Sequence, residues 1–234
     1  MSTRQDYITA LGSLVQGEYP PGEGAKILAI AQAVKIYSKH RPRIVTEDKA
    51  GAAAFDYPLT GLAAWSDGFS LIQKVEYPVD DTDAEAQALD EDAWSIYRKP
   101  TGGCLRFLED EPAADETFRV TYTALHTCTD AACTVKEIDE EAVQSLAAAL
   151  YCEILAAWFA QNQDSSIQAD VVEHTSKSRD FAARAKAFEK IYRKHLGLKD
   201  DDIVRPAAAV ADMDLKYPGG SERLTHPRSG RKTR

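Results

Sequence analysis

Cysteine is scarce in this sequence: Cys104, Cys128, Cys133 and Cys152 are the only four in 234 residues. They are too few and too scattered to form the disulfide framework of a small secreted domain, so reduced thiols are expected. Long hydrophobic runs are also missing. The longest, residues 146–160, is interrupted by Glu153 and falls short of the roughly 20 apolar residues that span a bilayer. The opening MSTRQDYITALGSL is polar and contains an acid, without the apolar centre of a signal peptide. These absences predict a soluble, non-secreted chain with no membrane partner. A hydrophobic content of 44% is nevertheless ample for a core.

Catalytic spacings are equally thin. GEG at residues 22–24 has neither a preceding strand nor the Lys-Ser/Thr ending of a phosphate loop, and G-x-S-x-G and H-E-x-x-H are absent. Acidic clusters at 80–83, 109–111 and 200–202 could hold Mg²⁺, but consecutive acids in loop-like sequence read as solvated turns. HTCTDAAC brings His126, Cys128 and Cys133 close and raises zinc. The C-x2-C pair is missing, however, and a fourth ligand would have to come from Cys152 or His174. Buried thiols are the simpler expectation, and no metal or cofactor is predicted. His126, His174, His195 and His226 stand apart and read as surface or capping residues. Trp65, Trp94 and Trp158 each sit within an apolar pattern and read as core anchors. The expectation is a protein that is not an enzyme.

Charge is present but unevenly placed. The net charge is −9, yet residues 177–198 carry seven bases against two acids and residues 216–234 six against one. The remainder therefore holds about −19 and repels a phosphate backbone, which confines any nucleic-acid contact to those two segments.

Hydrophobic spacing divides the chain into four parts. Residues 1–42 read as two helices, one over 4–15 and one over 25–40, separated by PPGEG and ended by Pro42. From 43 to 136 the period changes to two: Gln73, Val75, Tyr77 and Val79 alternate with polar residues, as do Trp94 with Ile96 and Phe118, Val120, Tyr122 with Ala124. KPTGG at 99–103 predicts a hairpin turn and EDEPAADE at 109–116 a longer loop, so an antiparallel β-meander is expected. Residues 137–198 read as an αα-hairpin. Asp139 is placed to cap the first helix, and Val143, Leu146, Ala147, Leu150, Tyr151, Ile154, Leu155, Trp158 and Phe159 form its apolar stripe. In the second, Phe181, Ala185, Phe188, Ile191, Tyr192 and His195 or Leu196 line one face, and Gly197 stops the helix.

The fold class is thus α+β: a helical bundle made of the N-terminal helix pair and the C-terminal hairpin, packed as one, with a β region between them. Residues 199–234 lack periodicity and carry Pro206, Pro218 and Pro227, which predicts an extended or disordered arm. On that arm Ile203, Val204, Met213, Leu215 and Tyr217 are the candidate apolar anchors for a partner. Arg223, Arg228, Arg231, Lys232 and Arg234 are the candidates for acidic surface or phosphate.

One stretch carries a family likeness. An alanine-rich helix ends in A-x-x-x-A-Q-x-x-D (156–164), followed by S-x-x-A-D-V-V (166–172) and S-K-S-x-x-F-x-x-R-A-K (176–186). With the preceding TYTALHT, this resembles head–tail connector proteins of tailed bacteriophages, also called adaptor or head-completion proteins. The resemblance covers roughly residues 116–198, and its motifs are structural. It implies a virion neck protein, made in the host cytoplasm, that forms a ring, commonly of twelve copies. Its implied partners are the portal, a tail-terminator or other neck protein, and DNA passing through without sequence-specific binding. The alternative within the same particle is a tail-completion or tail-terminating protein, which the long β region favours. A remoter alternative is a metal-dependent nucleic-acid enzyme that uses the acids at 80–83 or 109–111 with the basic helix as grip. If Gly197 closes the folded unit, truncation after Leu198 leaves the thermal transition intact and weakens assembly, which calorimetry and sedimentation of the two chain lengths measure.

Overall fold

The computed structural model describes residues 2–79, 88–161 and 174–199. Helix α1 (Arg4–Val15) starts at Thr3, whose hydroxyl accepts from the Asp6 amide while the Asp6 carboxylate accepts from the Thr3 amide at 2.7 Å. This reciprocal cap satisfies donors that a first turn otherwise leaves open. Helix α2 (Gly22–His40) begins three residues before its apolar spacing does. Pro21 has φ −60°, which fits a helical first turn, so the PPGEG break is shorter than expected.

Among the described residues the β region has six strands: β1 (Arg43–Ala50), β2 (Asp56–Pro58), β3 (Ile72–Glu76), β4 (Trp94–Lys99), β5 (Gly102–Phe107) and β6 (Thr117–Ala124). All pairings are antiparallel, in two three-stranded sheets of order β1-β6-β3 and β2-β5-β4. The β4–β5 hairpin at KPTGG follows the sequence. The order is otherwise not that of sequential neighbours, because β6 returns to lie between β1 and β3, from Arg43 opposite Ala124 to Ala50 opposite Thr117. A register shift between Ile72 and Lys74 breaks strict alternation in β3, so Ile72 and Val75 are its buried pair. The two sheets share one apolar core, in which Phe118 meets Phe107 at 5.2 Å and Tyr57 at 4.5 Å.

A second core belongs to the helices. Helix α3 (Glu140–Gln161), preceded by a 3₁₀ turn at Glu137–Asp139, packs on α1, α2 and α4 (His174–Leu196). By length and composition Glu137–Gln161 is apolar enough to cross a membrane, contrary to what the interruption at Glu153 suggests. Most of its apolar window is buried among the other three helices, as befits a helix that is hydrophobic all round. Helix α4 buries Phe181, Ala185 and Tyr192, whereas Ile191, expected on that face, is 51% exposed. It ends with Gly197 at φ 71°, Leu198 N donating to Arg193 O and Gly197 N to Lys194 O. That is a glycine-closed helix end in which the last carbonyls are satisfied. Trp65 and Trp94 pack half-buried on the sheet core, and Trp158 on the helical core.

The β1–β2 connection runs against the 109–116 loop so closely that a Cβ on Gly51 would lie 2.0 Å from the carbonyl oxygen of Ala113. Gly51→Ala therefore forces the two loops apart and costs about 1–3 kcal/mol by denaturant titration. Gly24→Ala, in a helix with nothing within 4 Å, is neutral or stabilising in the same measurement.

Candidate functional site

Three features stand out in the helical half: a buried carboxylate, a thiol-bearing hairpin and a basic helix face. Asp139 closes the 3₁₀ turn before α3 and is fully buried. Its Oδ2 accepts from the Tyr37 hydroxyl at 2.7 Å, Arg41 Nη1 donates to both oxygens at 2.8 Å, and His195 Nε2 lies 3.0 Å from Oδ1. Tyr37 and Arg41 are one turn apart at the end of α2, where Pro42 terminates the helix, so both reach the same point. One carboxylate thereby ties α2, α3 and α4 together. The structure corrects the expectation that Asp139 caps α3: both oxygens are engaged by side chains of other elements. His195 likewise is tied to Asp139 through this contact and is not a free surface residue.

Two more histidines sit beside this node. His40 Nδ1 lies 2.7 Å from the Tyr192 hydroxyl. His126 is buried against the Tyr37 ring, its Nδ1 2.8 Å from Thr134 O and its Nε2 3.0 Å from Arg41 O. Its amide donates to Ser38 Oγ at 2.9 Å. Both ring nitrogens face backbone carbonyls, so His126 does not turn to Cys128 and Cys133, and the His–Cys–Cys metal reading fails on geometry. Among the described residues no three His, Cys, Asp or Glu side chains converge as a metal set.

Burial lowers the His40 pKa below the usual 6.5, helped by Arg193 and Lys39. Burial also lowers that of His126, and the two carbonyls, which favour the charged ring, only partly oppose it. For Asp139 burial pushes the carboxyl up, but the bonds from Tyr37, His195 and Arg41 outweigh it and hold it below the usual 3.8.

Beyond α2, residues 127–134 form a hairpin in which Cys128 and Cys133 stand opposite each other. It is strapped to the start of α1: Cys133 N donates to Ser2 O, Arg4 N to Thr129 O, and the Arg4 guanidinium grips Asp130 at 2.8 and 2.5 Å. Cys104 and Cys152 are buried elsewhere, on β5 and α3.

The outer face of α4 is basic. Arg179, Lys186, Lys190 and Lys194 are exposed and make no ion pair with any described residue. At 100° per residue they fall within an arc of roughly 80°, with Ala183 between them. Arg193 instead pairs with Glu189, and Lys177 and Arg184 lie over the rings of Phe159 and Phe181. Elsewhere, Leu108 N donates to Ala93 O at 2.8 Å and brings two exposed acidic turns together: Asp90, Glu91 and Asp92 with Glu109, Asp110 and Glu111.

The predicted arm residues Ile203, Val204, Met213, Leu215, Tyr217, Arg223, Arg228, Arg231, Lys232 and Arg234 lie outside the described residues, as do the acids at 80–83 and 200–202. Reading the sequence missed the Asp139 node. Its available signals were Tyr37 with Arg41 and Tyr192 with His195, polar groups at helical spacing on or beside apolar faces. In comparisons with known proteins, no family model and no curated protein matches the chain.

Both histidines bind a proton less readily in the folded chain than in the unfolded one, so their contribution is complete above pH 6.5 and is lost as the pH falls through their folded values. Asp139 adds a second loss below its unfolded value of 3.8. Thermal midpoints therefore decline from pH 7 to 5, and the decline is shallower in His40→Gln/His126→Gln. At pH 7 Asp139→Ala costs about 2–3 kcal/mol, below the usual range for a broken buried pair because Arg41 and His195 can turn to water.

Proposed function

We propose that this chain is a structural virion protein, a head–tail connector that assembles head to tail into a ring between portal and tail. The observation that carries this reading is the basic face of α4, which pairs with no described acid, together with the acidic turns at 90–92 and 109–111. The two patches differ in sign and belong to different elements, so one copy's helix complements the next copy's turns. A contact between unlike patches repeats from copy to copy and closes as a ring when the rotation fits. Complementary charge also speeds encounter and fixes register. The acidic balance of the rest of the chain suits a channel that DNA traverses, since a basic wall would hold phosphates. In this reading the arm at 199–234 reaches the portal or a neighbouring copy, with many weak contacts strengthened by repetition around the ring. The protein has no catalytic role and carries no cofactor.

The six-stranded middle supports a second reading, a tail-completion protein of the same particle. Co-purification separates the two: the connector binds DNA-filled heads bearing the portal, and the tail-completion protein binds isolated tails. For the ring itself, sedimentation of Lys186→Glu/Lys190→Glu/Lys194→Glu shows association weakened about tenfold or more relative to wild type at low salt. Added salt weakens the wild type in the same direction. A wild-type chain that stays monomeric at high concentration overturns the proposal.

A further inference from the structure

The hairpin after β6 places two thiols where a covalent bond can form. Thr134 N donates to Thr127 O and Thr129 N to Ala132 O, each at 2.9 Å, and Cys128 faces Cys133 between these two bonds. That is the non-hydrogen-bonded position of an antiparallel ladder, where opposing Cα atoms approach to about 4.5 Å with side chains on one face. A disulfide bridges Cα separations of roughly 4.4–6.8 Å, so closure needs little backbone movement. The two thiols lie close enough to perturb each other's ionisation. Cys128 is half-buried, whereas Cys133 is 3% exposed. Tyr7, fully buried, has a hydroxyl without a hydrogen-bond partner among the described residues, and it lies against Cys133.

We propose that Cys128 and Cys133 are a redox-reactive dithiol that closes reversibly into a cross-strand disulfide by exchange with small-molecule disulfides. The surroundings suit that chemistry. The facing Cys128 thiol draws the Cys133 pKa down against burial, with the Val135 amide acting in the same sense. Cys128 is raised in turn, so Cys133 is the thiol that ionises more readily while Cys128 keeps its proton. As that proton passes to Cys133, the more exposed Cys128 sulfur attacks one sulfur of the external disulfide. The external S–S bond breaks, one thiolate leaves and is protonated by water, and Cys128 carries a mixed disulfide. Cys133 then gives up its proton, attacks the Cys128 sulfur and expels the second thiolate, which takes up a proton. Two cysteine thiols are oxidised by two electrons, and one external disulfide is reduced to two thiols. Because the hairpin holds Ser2 and Arg4, the bond fixes the seat of α1. This inference rests on the hairpin alone and is independent of the ring.

The test uses the full chain and oxidised glutathione. The folded protein is equilibrated with glutathione buffers of rising oxidised fraction, acid-quenched, denatured and alkylated. Cleavage at Arg119 and Lys136 releases one peptide, 120–136, that holds both cysteines. The expected product is that peptide lighter by two hydrogens and unalkylated, restored by dithiothreitol, while Cys104 and Cys152 are alkylated. Cys133→Ser accumulates glutathione on Cys128, as expected of an attack without its resolving partner, and the thermal midpoint rises on oxidation in wild type only. If the peptide from folded wild-type protein takes two alkyl groups at every buffer composition, or the disulfide forms only after unfolding, the proposal fails.

Discussion

A carboxylate with no exposed surface must be satisfied from within, and Asp139 is satisfied by three different side chains from two helices that precede and follow it. Leaving any of its lone pairs unmet in a buried setting would cost more than the net gain of an ordinary hydrogen bond. The end of α2, the start of α3 and the end of α4 are therefore held at one relative position. Apolar packing around α3 supplies most of the stabilisation, but such packing is non-directional. The Asp139 node contributes direction: it selects one rotation of α4 about its axis, the one that turns Tyr192 inward and Arg179, Lys186, Lys190 and Lys194 outward.

The same logic links the two halves of the chain. His126 follows β6 and lies within hydrogen-bond distance of Arg41 O at the end of α2 and of Thr134 O in the cysteine hairpin, so strand end, helix end and hairpin meet at one imidazole. Ser38 accepts the His126 amide from the helical side. The hairpin in turn holds the first residues of α1. A continuous set of polar contacts thus runs from the sheet to the N-terminal helix.

Much of this was legible in the sequence because local rules dominate it. Apolar spacing and Gly197 define α4, the spacing of 143–159 defines α3, and alternation marks β6. Thr3 with Asp6, by contrast, went unread as a cap although both residues are adjacent to the helix start. The strand order was not legible, since pairing β1 with β6 depends on contacts about 70 residues apart that alternation cannot rank. Nor was the role of Asp139, because an acid before a helix looks like a cap until its distant donors are known. Ile191 was placed on the buried face by spacing alone, yet packing rotates the helix so that it faces water. The thiol pair was noticed as a possible metal site, and only the hairpin register turned it into a facing dithiol.

The claim on which the account turns is that a fixed α4 presents its basic face to the acidic turns of a second copy. Electron cryomicroscopy of the purified chain, alone and with portal-bearing heads, tests it most directly. The account predicts closed rings in which Arg179, Lys186, Lys190 and Lys194 of each copy lie against the 90–92 and 109–111 turns of the next, seated at the portal. Single copies, or two-fold pairs in which the basic faces remain in solvent and no neck density appears, would contradict it.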